Sequence, residues 1–324
     1  MKHAALLYVR MLRYRVAVML WMFMLLGAAA HGGPTVALVW SALALASSYV
    51  AATTLNDVAD RDLDRVNHPR DAGRPLVNGT ATERELLHLN AIASLLALVA
   101  AVPLGWAGIL LVICSLGIGR AYSSSPVLLS YRTYLAPVVL AFAYVAVPYG
   151  LGLAAVGGSP ATRDLTFCAA LMLLFLARIN LKDFRDRRGD ALYGRPTLLL
   201  RYGKTVTCAV SLAALLAGNV LLFAALAPPI GLALVLETFF AAVAWTLHAL
   251  WRAPEGRLEQ VAIGIGAKMG NGLLLAVLGW LLLTNAGAPP LDRFMFVLVL
   301  GAAFGLAFAA LVRSPERAII GYKG

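Results

Sequence analysis

Two short segments of the chain combine closely spaced carboxylates with neighbouring arginines. Their acidic and amide residues are Asn56, Asp57, Asp60 and Asp64 in the first segment and Asp183, Asp186 and Asp190 in the second. Spacings of three and four residues place such side chains on one face of a helix. Like charges at this density repel one another, and a divalent cation relieves the repulsion. Hard oxygen ligands favour Mg²⁺, which usually completes its shell with water and substrate phosphates, so we predict a magnesium-dependent diphosphate site.

The composition shows what must position these segments. Of the 324 residues, 61% are hydrophobic and 13% are charged. Apolar runs of about 18 to 22 residues, long enough to cross a bilayer as helices, recur along the chain. We count about ten of them, near residues 16–31, 35–54, 87–103, 106–120, 134–153, 165–181, 206–226, 229–250, 261–283 and 294–312. We therefore predict an all-α polytopic protein of nine to ten transmembrane helices in a lipid bilayer.

The charged residues lie mainly in the loops between the apolar runs. A formal net charge of +11 is compatible with nucleic acid as a partner. However, basic residues in short loops between spans are typical of membrane orientation and phosphate handling, so we expect no nucleic acid. Basic and neutral loops alternate along the chain. We therefore predict that both termini and both aspartate segments are cytoplasmic, in what we expect to be a bacterial plasma membrane.

Each aspartate segment follows an even-numbered apolar run, the second and the sixth. Such equivalent placement suggests two pseudo-repeated four-helix units around a central cavity. We expect residues 1–324 to form a single intramembrane domain, with the first aspartate motif at 56–64 and the second at 183–190.

The residues around both segments resemble one family. Asn56-Asp57-x-x-Asp60-x-x-x-Asp64, followed by Arg74-Pro75-Leu76-x-x-Gly79, is similar to the first signature of the UbiA-type intramembrane prenyltransferases, such as the 4-hydroxybenzoate polyprenyltransferases. Lys182-Asp183-x-x-Asp186-x-x-Gly189-Asp190, continuing to Gly194-Arg195-x-Thr197-Leu198, is similar to their second. The resemblance implies a helical membrane enzyme that binds Mg²⁺ and an isoprenyl diphosphate. Carried over by position, the metal ligands would be Asn56, Asp60, Asp64, Asp186 and Asp190, with Asp57 and Asp183 as close second members.

Several other residues are candidate substrate ligands, namely Arg13, Arg74, Tyr122, Arg132, Lys182 and Lys268. Arg13 lies where relatives often place an arginine, but it is also suited to anchoring the first span as a basic loop residue. Arg74 belongs to the first signature. Lys182 is placed either to reach phosphate oxygens or to pair with Asp186.

Two of these candidates depart from the family pattern or have a simpler explanation. The loop containing Tyr122 resembles a family segment in which a lysine usually follows the tyrosine; here that lysine is absent and Arg132 lies further along. Tyr122 therefore either lines the site or anchors the chain at the interface. Lys268, with Asn271 nearby, lies inside an apolar run, where an ionisable group indicates function unless it reaches back to the membrane surface.

The resemblance, together with the spacing of the carboxylates, implies a prenyltransferase that uses Asp60, Asp64, Asp186 and Asp190 in catalysis. It would move a prenyl group from an isoprenyl diphosphate to a hydrophobic, membrane-associated acceptor, with an aromatic acceptor the commonest among relatives. One alternative is a terpene cyclase of the same family, in which the allylic cation is captured by its own double bonds. A transporter is a weaker alternative, because its polar groups would lie near the bilayer midplane instead of at one face.

Overall fold

The computed structural model describes residues 2–33, 35–69, 71 and 73–314, with Lys2 described by its backbone alone. Over these residues the chain is helical and has no strand. Its α-helices are α1 (Lys2–Met11), α2 (Tyr14–Ala29), α3 (Ala37–Ala59), α4 (Arg61–Asn67), α5 (Glu83–Ala101), α6 (Gly105–Ser123), α7 (Leu135–Ala141), α8 (Val147–Ala155), α9 (Thr162–Ile179), α10 (Asp183–Leu192), α11 (Leu198–Leu226), α12 (Ile230–Arg252), α13 (Arg257–Asn285) and α14 (Pro290–Arg313). The predicted all-α class is confirmed.

The helices are long and apolar enough for a polytopic membrane protein. Eight stretches of the described chain qualify as spans, with a ninth if the bent pair His3–Met11 and Tyr14–Ala29 counts as one. The longest stretch, Glu83–Ser123, has 41 residues and contains both α5 and α6. A 3₁₀ turn at Val102–Leu104 and a positive φ of 69° at Gly105 separate these two helices. All ten predicted apolar runs therefore fall on helical segments.

The chain divides into two compact units. Among the described residues, unit 1 contains those up to Ser159 together with Asp186–Thr197, and unit 2 contains Pro160–Arg185 and those from Leu198 onward. Five of the ten predicted runs lie in each unit, and the four-helix pseudo-repeat stays a prediction. The second aspartate segment is shared, because its last two carboxylates belong to unit 1 while Lys182 and Asp183 belong to unit 2.

Two spans of unit 1, α2 and α8, pack closely against each other. A Cβ at Gly27 would lie 2.1 Å from the carbonyl oxygen of Tyr149, and a Cβ at Gly152 would lie 1.8 Å from that of Met24. Glycines therefore allow α2 and α8 to touch along their backbones, as small residues do between membrane helices. The neighbouring α3 packs against α5 and α6 and carries Asn56 and Asp57, the first residues of the first aspartate motif, in its last turn.

Unit 2 is built from α9, α11, α12, α13 and α14. Near the beginning of α11, Lys204 Nζ lies 2.7 Å from Glu259 Oε1 in the first turn of α13, and it also donates to the Ala253 carbonyl after α12. The Glu259 side chain is 1% exposed. A carboxylate at that depth requires a partner, so this ion pair ties together three parts of the unit.

Candidate active site

The first aspartate motif lies at a bend between two helices. The α3 helix ends at Ala59, Asp60 has φ −97° and ψ 11°, and α4 begins at Arg61. The backbone N–H of Asp60 still donates to Asn56 O at 2.8 Å, and that of Asp64 donates to Asp60 O at 2.7 Å. The four-residue spacing therefore continues through the bend, and the side chain of Asn56 donates to Asp60 Oδ2 at 2.9 Å.

Asp57 is the most deeply paired carboxylate of this motif. Its side chain is 2% exposed, and its Oδ1 accepts from Arg13 at 2.5 Å and from Arg74 at 2.6 Å. Arg74 Nη1 also lies 2.7 Å from Asp64 Oδ2. The second oxygen of Asp57, Oδ2, is buried without a hydrogen-bond partner in the described part of the chain. Two of the predicted substrate ligands, Arg13 and Arg74, therefore contact this motif directly.

Two residues at the end of α4, Asn67 and His68, contact the second aspartate motif. His68 Nε2 lies 2.9 Å from Asp186 Oδ1, and Asn67 Oδ1 accepts from the backbone N–H of Gly189 at 2.7 Å. A Cβ at Gly189 would come within 2.6 Å of Asn67 Nδ2, so a side chain at this position would push α4 and α10 apart. This contact explains the glycine of the second signature.

Arg195 joins carboxylates of both motifs. Its Nη2 donates to Asp60 Oδ1, and its Nη1 lies 3.7 Å from Asp190 Oδ1. Its guanidinium carbon lies 5.2 Å from the centre of the Tyr131 ring. Burial lowers the pKa of Arg195, but the Asp60 carboxylate outweighs this effect and raises the pKa above its ordinary value. The guanidinium is therefore charged at every physiological pH.

Asp64 differs from an ordinary surface carboxyl group. Burial raises its pKa to about 7, with the neighbouring Asp57 and Asp60 carboxylates acting in the same direction against the opposing charge of Arg74. A carboxyl group with this pKa is about half protonated near neutral pH.

The remaining predicted ligands occupy different environments. Tyr122 is buried at the end of α6 and interacts electrostatically with Arg195, whereas the side chain of Arg132 is exposed. Lys182 and Lys268 are partly buried in unit 2, and the Asp183 side chain is buried there. Sequence reasoning did not identify His68, Asn67 or Arg195 as site residues. The only available signal was the inclusion of Arg195 in the second signature.

The donor chemistry of the unit 1 cluster suits Mg²⁺, although its carboxylates are separated from one another. Across the residues that the structure describes, no three Asp, Glu, His or Cys side chains form a group that could hold one ion. Guanidinium groups lie between them and pair with Asp57, Asp60 and Asp64. Carboxylate and amide oxygens are nevertheless the ligands that Mg²⁺ prefers, and the buried Asp57 Oδ2 is an oxygen that lacks a donor.

The fold and this cluster define an integral membrane protein with two aspartate motifs gathered at one polar site. The chain matches the UbiA prenyltransferase family over residues 16–271 and belongs to that family. The predicted resemblance is thereby confirmed. Helix α14 lies beyond the matched residues.

Several curated relatives share part of the chain. It is 27% identical over 154 residues to digeranylgeranylglyceryl phosphate synthase of Pyrococcus horikoshii, covering 48% of this chain and 52% of that protein. It is 35% identical over 175 residues to homogentisate phytyltransferase of Synechocystis, covering 51% of this chain and 54% of that protein. It is 30% identical over 162 residues to chloroplastic chlorophyll synthase of Oryza sativa, covering 46% of this chain and 41% of that protein. The chain thus spans about half the length of the curated relatives it matches.

Solved structures share the fold over most of this chain. A UbiA homologue from Archaeoglobus fulgidus, bound to GPP and Mg²⁺, superposes with a TM-score of 0.68 at 16% identity, covering 85% of this chain and 99% of that one. The apo structure of a homologue from Aeropyrum pernix gives a TM-score of 0.60 at 23% identity, covering 83% of this chain and 98% of that one. At these identities the likeness shows the fold alone.

Proposed function

We propose that this protein transfers a prenyl group from an isoprenyl diphosphate to a membrane-associated acceptor and releases diphosphate. The observation that carries the proposal is the convergence of both aspartate motifs on Arg195, which pairs with Asp60 and approaches Asp190. Family membership supports it, as do the names of the relatives, which are synthases and a prenyl-chain transferase. The homologue from Archaeoglobus fulgidus was solved with GPP and Mg²⁺ and with DMAPP and Mg²⁺.

The proposed metal ligands are the polar side chains of both motifs, acting directly or through water. In unit 1 they are Asn56, Asp57, Asp60, Asp64, Asp186 and Asp190. Asp183 of unit 2 remains a further candidate. Bound Mg²⁺ would neutralise the diphosphate and make it a better leaving group.

The arginines of unit 1 have a role of their own in this proposal, as ligands of the diphosphate. Arg13, Arg74 and Arg195 are held by carboxylates that would turn toward a metal. Once those carboxylates are engaged elsewhere, each guanidinium loses its partner and becomes available to phosphate oxygens, for which its forked donors are well shaped. In this proposal the same three arginines contribute donors to the diphosphate site.

The chemistry proceeds by breaking the bond between the prenyl carbon and the diphosphate oxygen. The electron pair leaves with the diphosphate, which the arginines bind, and an allylic cation remains. The apolar spans exclude water, so the cation survives until the acceptor forms the new bond and gives up a proton. The alternation of loop charges supports a cytoplasmic position for both motifs.

Product analysis tests the proposal. Purified protein in detergent with Mg²⁺ is incubated with labelled geranyl, farnesyl or geranylgeranyl diphosphate, with and without aromatic and lipid-alcohol acceptors. A prenylated acceptor that forms only when acceptor is present supports transfer. A cyclic terpene formed from the diphosphate alone would instead make the protein a cyclase. Failure to consume any diphosphate would overturn both assignments.

A further inference from the structure

A histidine that follows the last residue of α4 connects the two aspartate motifs within unit 1. The backbone N–H of His68 donates to the Asp64 carbonyl oxygen at 2.7 Å, which fixes the histidine to the first motif. Its ring Nε2 lies 2.9 Å from Asp186 Oδ1, 118 residues further along the chain. All three residues belong to unit 1. His68 therefore joins the backbone of one motif to a carboxylate of the other.

The contact between His68 and Asp186 is partly buried and directional. The His68 side chain is 9% exposed, and that of Asp186 is 19% exposed. An ionised carboxylate can only accept hydrogen bonds, so Nε2 of the imidazole is the donor. A hydrogen bond to a charged acceptor is roughly twice as strong as one between neutral groups. This bond therefore favours one orientation of the Asp186 carboxylate.

A separate contact from α4 holds the backbone of the second motif. Asn67 Oδ1 accepts from the backbone N–H of Gly189 at 2.7 Å, and Gly189 lies three residues after Asp186 on the same face of α10. The position of the α10 backbone beside α4 therefore depends on Asn67. The orientation of the Asp186 side chain depends on the neighbouring His68, so the two effects can be changed separately.

We propose that His68 is a positioning residue, which orients the Asp186 carboxylate for ligation of a divalent cation. This inference rests on the proposed function, in which Asp186 is one of the metal ligands. A carboxylate can ligate a metal ion and accept a hydrogen bond at the same time, because its two oxygens offer about four lone pairs. Residues that hydrogen-bond to a metal ligand typically contribute about ten- to hundredfold to metal affinity.

Binding of Mn²⁺ to the full chain in detergent tests the proposal without turnover. Mn²⁺ suits the same oxygen ligands as Mg²⁺ and is detected by electron paramagnetic resonance. Titrations with and without inorganic diphosphate give its dissociation constant. His68→Phe keeps a ring but removes the donor, and we expect it to raise this constant about ten- to hundredfold. His68→Gln removes the ring but keeps an N–H donor, so it should restore most of the affinity.

His3→Phe is the matched control. His3 Nε2 lies 3.3 Å from Glu85 Oε1, in a pair whose side chains are 59% and 42% exposed. The substitution therefore removes a contact between a histidine and a carboxylate outside the aspartate motifs, and the affinity for Mn²⁺ should not change. All titrations are made at a temperature at which thermal unfolding shows each variant to be folded.

Three results would overturn the positioning role. An unchanged affinity in His68→Phe would show that Asp186 needs no donor at this place. Tighter binding in His68→Phe would show that the imidazole competes with the metal ion for the carboxylate. A loss of affinity in His68→Gln but not in His68→Phe would assign the effect to the packing of the ring.

Kinetics separate this inference from the proposed function. Where prenyl transfer occurs, His68→Phe should raise the Mg²⁺ concentration for half-maximal rate about ten- to hundredfold, and saturating Mg²⁺ should restore most of the rate. A lower maximal rate with an unchanged Mg²⁺ requirement would refute the positioning role. If no transfer occurs with any substrate, the proposed function fails, while a His68-dependent affinity for Mn²⁺ would still establish the role of His68. If the unaltered protein binds no Mn²⁺, with or without diphosphate, both fail.

Discussion

The charged groups of the two units are balanced in opposite ways. In unit 1, five aspartates (Asp57, Asp60, Asp64, Asp186 and Asp190) meet the guanidinium groups of Arg13, Arg74 and Arg195 and the imidazole of His68. In unit 2, Arg178 is paired with the neutral Asn271. The ion pairs of the first cluster join carboxylates to cationic groups, whereas Arg178 is joined to a neutral amide.

This difference shows what each cluster is able to receive. A group of carboxylates attracts cations, which agrees with the proposed metal site. A cation with no carboxylate attracts an anion. Lys204 and Glu259 show that unit 2 also contains a matched buried pair. Among the described residues, Arg178 therefore has no carboxylate partner of the kind that Lys204 has, and this difference can be tested by changing single charges.

Removing a carboxylate from the unit 1 cluster should have the largest effect. Asp60→Asn or Asp190→Asn keeps the shape of the side chain but removes the charge that pairs with Arg195 and that would bind a metal. We expect turnover of isoprenyl diphosphate to fall by at least about a hundredfold, because these charges would act where negative charge develops on the diphosphate leaving group. Product formation at saturating Mg²⁺ is the measurement.

Asp62→Asn is the matched control for this experiment. Asp62 lies on α4 between two cluster residues, but its side chain is half exposed and pairs with Arg65 at 2.8 Å. An exposed pair of this kind contributes little to stability, so activity should stay near that of the unaltered protein. Equal losses in Asp60→Asn and Asp62→Asn would contradict the special role of the cluster.

The helices and the local spacing of the motifs could be predicted from the sequence. Long apolar runs identified the spans, and the four-residue spacing of Asn56, Asp60 and Asp64 persists as backbone hydrogen bonds through the bend. These features depend on residues that are near one another in the chain. The bend at Asp60 itself was not predicted, because residues 56–64 contain neither the proline nor the glycine that usually marks a sharp bend.

The partners of the aspartates could not be predicted in this way. His68 meets Asp186 across 118 residues, and Arg195 meets Asp60 across 135, so both contacts depend on how α4 and α10 pack. Arg178 did carry a signal, since an arginine inside an apolar run is uncommon. Its isolation from carboxylates became visible only when α13 was placed beside α9.

Removing a positive charge from unit 2 should have an intermediate effect, measured as a change in the free energy of unfolding. Lys204→Met leaves the buried Glu259 carboxylate without its ion-pair partner, and we expect a loss of about 3 kcal/mol in the free energy of unfolding. Arg178→Gln removes a charge that no carboxylate of the described residues balances, so it should cost little or nothing. Thermal unfolding of both variants in detergent makes the comparison. A larger loss in Arg178→Gln would show that Arg178 serves the fold and would weaken the contrast between these two groups of unit 2.

The smallest expected effect concerns pH and sharpens the description of the unit 1 cluster. The pKa of Asp64 is raised to about 7 by burial, so the folded protein holds this proton more tightly than the unfolded chain does. The stabilisation from protonated Asp64 is therefore complete below about pH 4 and is lost as the pH rises to about 7, in the absence of metal.

Binding of Mg²⁺ should show the opposite dependence on pH, because a carboxylate ligand must lose its proton first. With the pKa of Asp64 near 7, we expect the apparent affinity for Mg²⁺ to be about tenfold weaker at pH 6 than at pH 8. Calorimetry in buffers of different ionisation enthalpy should also detect the released proton. Asp64→Asn should bind Mg²⁺ more weakly and lose this part of the pH dependence. An unchanged pH dependence in that variant would assign the proton to another member of the cluster, and Asp64 would then be a charged neighbour of the arginines at neutral pH.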